Sequence, residues 1–164
     1  MPAAHLPAAS AAPTTPSDTR PLSKRRLKTW IRLLRLTRSV ESDLRDFLRT
    51  EHDTTLPRFD VMAALYRRRE DVTMSELSRM LLVSNGNATA VVDRLEKDGL
   101  ATRTPAPGDR RTIHVALTEG GIAAFEAMAK GHEAKLDTLL GGLTAEDLDQ
   151  LRGILMRALP DTDR

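Results

Sequence analysis

Apolar residues recur along this chain in two rhythms, and the switch between them marks its layout. From Ser23 to Arg49, Leu27, Trp30, Ile31, Leu34, Val40, Leu44, Phe47 and Leu48 return every three or four positions, the signature of a long amphipathic helix. A polar loop over His52–Leu56 follows, and Pro57 suits the first turn of a second helix whose buried face is Phe59, Met62, Ala63, Leu65 and Tyr66. Arg67, Arg68 and Arg69 close that helix favourably against its dipole. Thr73 and Glu76 have capping-box spacing, so a short helix is predicted from Met74, with Met74, Leu77, Met80 and Leu81 on one side. Val83-Ser84-Asn85-Gly86 interrupts the pattern, and Ser84 is a good N-cap for a further helix carrying Ala88, Val91, Val92 and Leu95, stopped at Gly99.

The rhythm then changes to period two. Ile113, Val115 and Leu117 alternate as a half-buried strand, and Ala101 to Thr104 is its expected partner, with Arg103 facing His114. Between them PAPGDRR is a turn with a basic tip. Thr118 caps the next helix, through Ile122, Phe125, Met128, Ala129, His132, Leu136, Leu139 and Leu140, until Gly141-Gly142 breaks it. Thr144 caps the last, with Leu148, Leu151, Ile154, Leu155 and Leu159 apolar before Pro160. Two short helices joined by a tight turn and followed by a ribbon make a winged helix-turn-helix. The fold class is mainly α with a small β-wing, and the flanking helices carry more apolar stripe than one small domain can cover, so a homodimer is expected.

Composition sharpens this picture in three places. The net charge is only +2, but residues 1–114 hold 20 Lys and Arg against 14 Asp and Glu, while residues 115–164 hold 5 against 9. The positive part contains the helix-turn-helix and wing, as a surface facing a polyanion should. Aromatic residues are 3% of the chain, too few for single-strand binding by base stacking. There is no cysteine, which excludes disulfides and thiolate metal sites. His5, His52, His114 and His132 are scattered without ligand spacing, so no metal and no cofactor are expected. No P-loop, nucleophile elbow, dinucleotide fingerprint or H-E-x-x-H occurs, and the reading is not that of an enzyme. With no apolar run long enough for a membrane span, no membrane partner is expected and a cytoplasmic location is the default. Residues 1–22, rich in Ala, Pro, Ser and Thr, read as a flexible tail, with a DNA-contacting arm or a lid as functional alternatives.

Double-stranded DNA is therefore the expected partner. The start of the second helix of the motif presents Ser84, Asn85, Gly86, Asn87 and Thr89, short polar side chains suited to base edges and phosphates. Arg94 contacts phosphate, pairs with Glu96 or Asp98, or pairs with nothing; Arg103 and His114 are further phosphate candidates. Tyr66 either closes a core hydrogen bond or faces a ligand, and Trp30 belongs to the core or, alternatively, to a ligand pocket.

The run LSRMLLVSNGNATAVVDRLEKDGLATRTPAPGDRRTIHVALTEGG resembles the winged-helix domain of MarR-family transcriptional regulators, most specifically in VDRLEKDGL, the GDRR wing tip and the LTEGG restart. The resemblance extends from about Lys24 to Leu159. Beyond the tail (1–22), it implies a dimerisation helix and loop (23–56), a DNA-binding winged helix (57–117) and C-terminal dimerisation helices (118–164). It also implies that Asp109 fixes the wing, Arg111 enters the minor groove and Arg110 adds charge. Regulation by a cysteine redox sensor, used by some such proteins, is excluded here. TLPRFDVMAALYR with LLVSNGNATAVVDRL is similar to members linked to aromatic-acid catabolism, implying a small aromatic or phenolic acid, or its CoA thioester, as effector. Its expected contacts are Trp30, Leu34, Thr37, Arg38, Phe59, Met62 and Tyr66, with Arg38 toward a carboxylate. The function so read is a ligand-responsive repressor binding a palindromic operator. The alternatives are an architectural DNA binder without a ligand and a winged-helix protein-interaction module.

Overall fold

The computed structural model of the chain describes residues 18–68, 71–106 and 108–158, and within the wing it leaves the side chains of Arg110 and Arg111 outside that description. Most of the expected tail, Arg69, Leu159 and Pro160 also lie outside the described residues. The elements are α1 (Leu22–His52), α2 (Leu56–Arg68), β1 (Val72–Thr73), α3 (Met74–Met80), α4 (Asn85–Lys97), β2 (Ala101–Ala106), β3 (Asp109–Leu117), α5 (Glu119–Leu140) and α6 (Ala145–Ala158). Two compact units meet within α1, one ending at Thr37 and the other starting at Arg38.

In the second unit, the sheet is antiparallel with strand order β1-β3-β2. The two-residue β1, too short to leave a periodic signal in the sequence, pairs Val72 with Val115 and so ties the start of α3 to the wing. Leu48, Met62, Leu77, Val92, Leu95 and Val115 are almost wholly removed from water and join α1, α2, α3, α4 and β3 in one core. Full burial of one such side chain stabilises by roughly 1.5–3 kcal/mol, so this cluster outweighs the surface ion pairs around it.

Two glycines are required by geometry. Gly99 takes φ +71° just beyond α4, where an L-residue would be strained. Gly121 sits where a Cβ would lie 1.9 Å from the Leu100 carbonyl oxygen, so only glycine lets α5 start against the α4–β2 connection. That junction is closed by Thr118, whose hydroxyl donates to Gly99 O at 2.7 Å and accepts from Gly121 N at 3.0 Å.

The structure corrects three expectations. Arg103 does not face His114: Arg103 is opposite Val115, and His114 opposite Thr104, which places the arginine and histidine on different faces of the pleat. The strands run further toward the tip than alternation alone suggested, with a register irregularity at Pro105/Ala106. Trp30 is not in a core of the described residues; it is 59% exposed.

Candidate nucleic-acid interface

The helix-turn-helix is built by two caps. Thr73 and Glu76 form the predicted box: Thr73 Oγ1 accepts from Glu76 N at 3.2 Å, and Thr73 N donates to Glu76 Oε2 at 2.9 Å. The Thr73 hydroxyl and amide hold the Glu76 carboxyl below its ordinary pKa by stabilising the charged form. At the turn, Leu82 takes φ +54° and is 85% exposed, while Val83 N donates to Ser78 O at 3.1 Å. Ser84 then caps α4, its hydroxyl accepting from Asn87 N at 3.3 Å.

This cap leaves the first turns of α4 with two different faces. Ala88 is buried against the core, whereas Ser84, Asn85, Gly86, Asn87 and Thr89 are all exposed. Thr89 is partly committed, since its hydroxyl donates to Asn85 O at 2.8 Å. Unsatisfied backbone N–H groups and short polar side chains at an exposed helix start suit phosphates and groove edges.

Farther along α4 the acidic residues are all taken. Arg103 of β2 turns back onto the helix, with Nη1 2.6 Å from Asp93 Oδ1 and 2.8 Å from Glu96 Oε2, and Nη2 donating to Thr89 O at 3.5 Å. Asp98, at the end of α4, pairs with Arg58 of α2 at 2.6 Å. Arg103 is thus an anchor between wing and helix, not a side chain reaching outward, and Glu96 and Asp98 are not the partners of Arg94. Arg94 is exposed and makes no ion pair among the described residues. Sequence reading missed Arg58 and the acceptors of Arg103. The available signal was Asp93 and Glu96, three apart on one face of a helix meant for DNA, where uncompensated carboxylates would repel phosphate.

In the wing, Asp109 Oδ2 accepts from the Thr112 hydroxyl at 2.8 Å, and Gly108 takes φ +82°. His114 Nδ1 stands 3.7 Å from Asp71 Oδ2, on the side of the sheet's short strand.

The expected ligand contacts differ in their surroundings. Phe59 and Met62 are core residues; the Phe59 ring stacks on His132 at 4.2 Å and also meets Phe125. Burial there lowers the His132 pKa. Tyr66 donates to Glu126 Oε1 at 2.7 Å and borders a cavity of about 380 Å³ with Leu65, Leu117 and Ile122. Leu34 is half-buried, while Thr37 and Arg38 are exposed. A separate cavity of about 370 Å³ lies behind α4, lined by Asp60, Val61, Leu81, Val91 and Arg94 among others. Asp60 keeps an exposed edge, yet burial and then the neighbouring Glu41 push its carboxyl up to about 6. Among the described residues no group of three or more His, Asp or Glu is placed to hold a metal, and no helix is long and apolar enough to cross a membrane.

Residues 52–112 match the model of the MarR family. The HTH-type transcriptional regulator MhqR of Bacillus subtilis is 28% identical over 136 residues, which cover 83% of this chain and 92% of that protein. The B. subtilis HTH-type regulator YkoM is 33% identical over 108 residues, covering 66% of this chain and 70% of its own length. Among solved structures, a MarR family transcriptional regulator from Silicibacter pomeroyi is 31% identical, with a TM-score of 0.69 over 84% of this chain and 97% of that one. A mutant of E. coli MarR complexed with operator DNA is 27% identical and superposes with a TM-score of 0.74, over 86% of this chain and all of that one.

Proposed function

The chain belongs to the MarR family of DNA-binding transcriptional regulators, and from that premise we propose that it is a homodimeric repressor of a palindromic operator, released by a small aromatic carboxylate or its CoA thioester. The observation that carries the operator reading is the exposed, Ser84-capped start of α4 beside the wing. In this reading Ser84, Asn85, Gly86, Asn87 and Thr89 meet base edges and the adjoining phosphates, with Asn87 the residue of sequence preference. Arg94, Arg110 and Arg111 neutralise phosphate or enter the minor groove and His114 touches phosphate, while Arg103 and Asp109 hold helix and wing in place.

Support for the dimer comes from apolar side chains left in water. Leu27, Trp30, Ile31, Leu33 and Leu36 on α1, and Leu148, Ile154, Leu155 and Met156 on α6, are all exposed in the single chain. A two-fold dimer would bring two copies of α4 to major grooves about 34–36 Å apart. The effector reading draws on Trp30, Leu34, Thr37 and Arg38, whose spacing places an aromatic ring, an apolar side chain, a hydroxyl and a cation along one face of α1. An effector favouring a dimer with the wrong helix spacing would lower operator occupancy by shifting the population.

The test is selection of bound sequences from random duplex DNA at fixed salt, followed by titration of the selected duplex with aromatic carboxylates and their CoA thioesters. An enriched inverted repeat with half-sites about one helical turn apart is expected, and so is its release by one of these compounds. Salt-sensitive binding without enrichment would replace this reading with an architectural one. No measurable duplex binding would point to a protein-interaction module.

A further inference from the structure

A second concentration of positive charge lies where α1 ends and α2 begins. A cavity of about 420 Å³ there is lined by Arg45 and Arg49 of α1, Thr54 and Thr55 of the connecting loop, Arg58 of α2, Arg94 of α4 and three apolar residues, and no acidic side chain contributes to its lining. The placement follows from simple spacing. Arg45 and Arg49 are four apart on a helix and share a face. The Thr55 carbonyl accepts from Arg58 N at 3.0 Å and Phe59 N at 3.1 Å, so α2 starts at the cavity wall and adds the positive end of its dipole.

Four arginines line one cavity, and the ion pairs of the described residues occupy only two of them. Arg58 has Asp98 and Arg49 has the exposed Asp46, both outside the lining. Arg45 and Arg94 have no ion pair among the described residues. Arg58 Nε is buried without a hydrogen-bond partner among them, so its desolvation is left uncompensated. Arg103, a few residues away from Arg94 in the sequence, shows the contrast: there two carboxylates satisfy one guanidinium.

We propose that this cavity is an oxyanion site, built to take a phosphate-type group on its arginines and the Thr54 and Thr55 hydroxyls. Arginine forks match tetrahedral oxyanions bidentately, and the loop hydroxyls supply donors that remain neutral. The group has two sources, a backbone phosphate of bound duplex or a free phosphate ester. Because Arg94 belongs to α4, either occupant ties the DNA-reading helix to the end of α1.

The experiment uses the full chain and its Arg45→Gln/Arg49→Gln double variant, both positions being exposed. Thermal unfolding is followed with inorganic phosphate and with phenyl phosphate, against chloride at matched ionic strength. Duplex affinity is measured against salt concentration in parallel. A saturable rise in Tm that the double variant loses supports the site with a free ester as its source. No rise in Tm, but a log K against log salt slope smaller by about 1–2 in the double variant, supports the site with duplex phosphate as its source. A Tm rise kept by the double variant, or no change in either measurement, overturns the proposal. Arg111→Ala serves as the control: if it too leaves duplex affinity and slope unchanged, the wing's DNA role fails independently of this site.

Discussion

The winged-helix core and the last helix treat their apolar side chains in opposite ways. Leu77, Val92, Leu95 and Val115 are at 0% exposure, each closed in by neighbours from the same chain. On α6 no residue is buried, and Ile154 is 54% exposed. The difference separates two kinds of amphipathic pattern. One kind is answered inside the chain and makes a unit that is packed on its own. The other has apolar residues at helical spacing that stay exposed among the described residues, and the proposed second subunit would cover them. The N-terminal part of α1, with Trp30 and Leu36 exposed, belongs to the second kind.

The largest effect should come from breaking the first kind. Leu95→Ala removes a fully buried side chain and is expected to cost about 2–5 kcal/mol in chemical denaturation. A loss below about 1 kcal/mol would mean that the core around α4 is far looser than the structure has it.

Ile154→Asp tests the second kind. If α6 packs on another copy, the charge should weaken self-association at least tenfold, since an apolar side chain of this size contributes about 1.5–3 kcal/mol when buried. Sedimentation would show a shift toward monomer, with the melting of the winged-helix unit changed far less than in Leu95→Ala. An unaltered mass distribution would remove α6 from the interface.

Arg103→Gln probes how the winged helix positions α4. Losing the Asp93 and Glu96 pairs should cost roughly 1 kcal/mol or less of stability. Duplex affinity should fall while its salt slope stays the same, because the residue anchors and does not neutralise phosphate. A slope smaller by about 1 would instead make it a phosphate contact.

The smallest effect is expected at Asp60, and its sign is set by protonation. Its folded pKa of about 6 lies above the ordinary aspartate value of 3.8, so the native state holds the proton more tightly. Stability from this group is therefore full below about pH 4 and is lost as pH rises through about 6. Asp60→Asn should raise Tm at pH 7 and leave it nearly unchanged at pH 4; equal shifts at both would show that ionisation is not the cause.

Legibility in the sequence followed the range of each interaction. The Thr73–Glu76 box, the Ser84 and Thr118 caps and the Gly99 stop were readable because each is completed within a few residues. β1 was not, since two residues carry no period and Val72 pairs only because Val115 arrives beside it. Phe59 and Met62 were read as both buried face and ligand contacts; in the structure they lie in the core, and their aromatic and apolar character is used in packing against α5 and its neighbours.

What the order of residues determined by itself was local: where helices begin and end, which faces are apolar, and where short polar residues open the second helix of the motif. Hydrogen bonds to caps and the 3.6-residue period act over one or two turns, so they are written in neighbouring letters. Tertiary structure alone decided that Arg103 turns to Asp93 and Glu96, that Arg58 reaches Asp98, that Trp30 stays in water and that four arginines gather around one cavity. A charged side chain on a surface has several partners within reach of its sequence, and which one it takes depends on the strand register and helix packing that bring distant residues together.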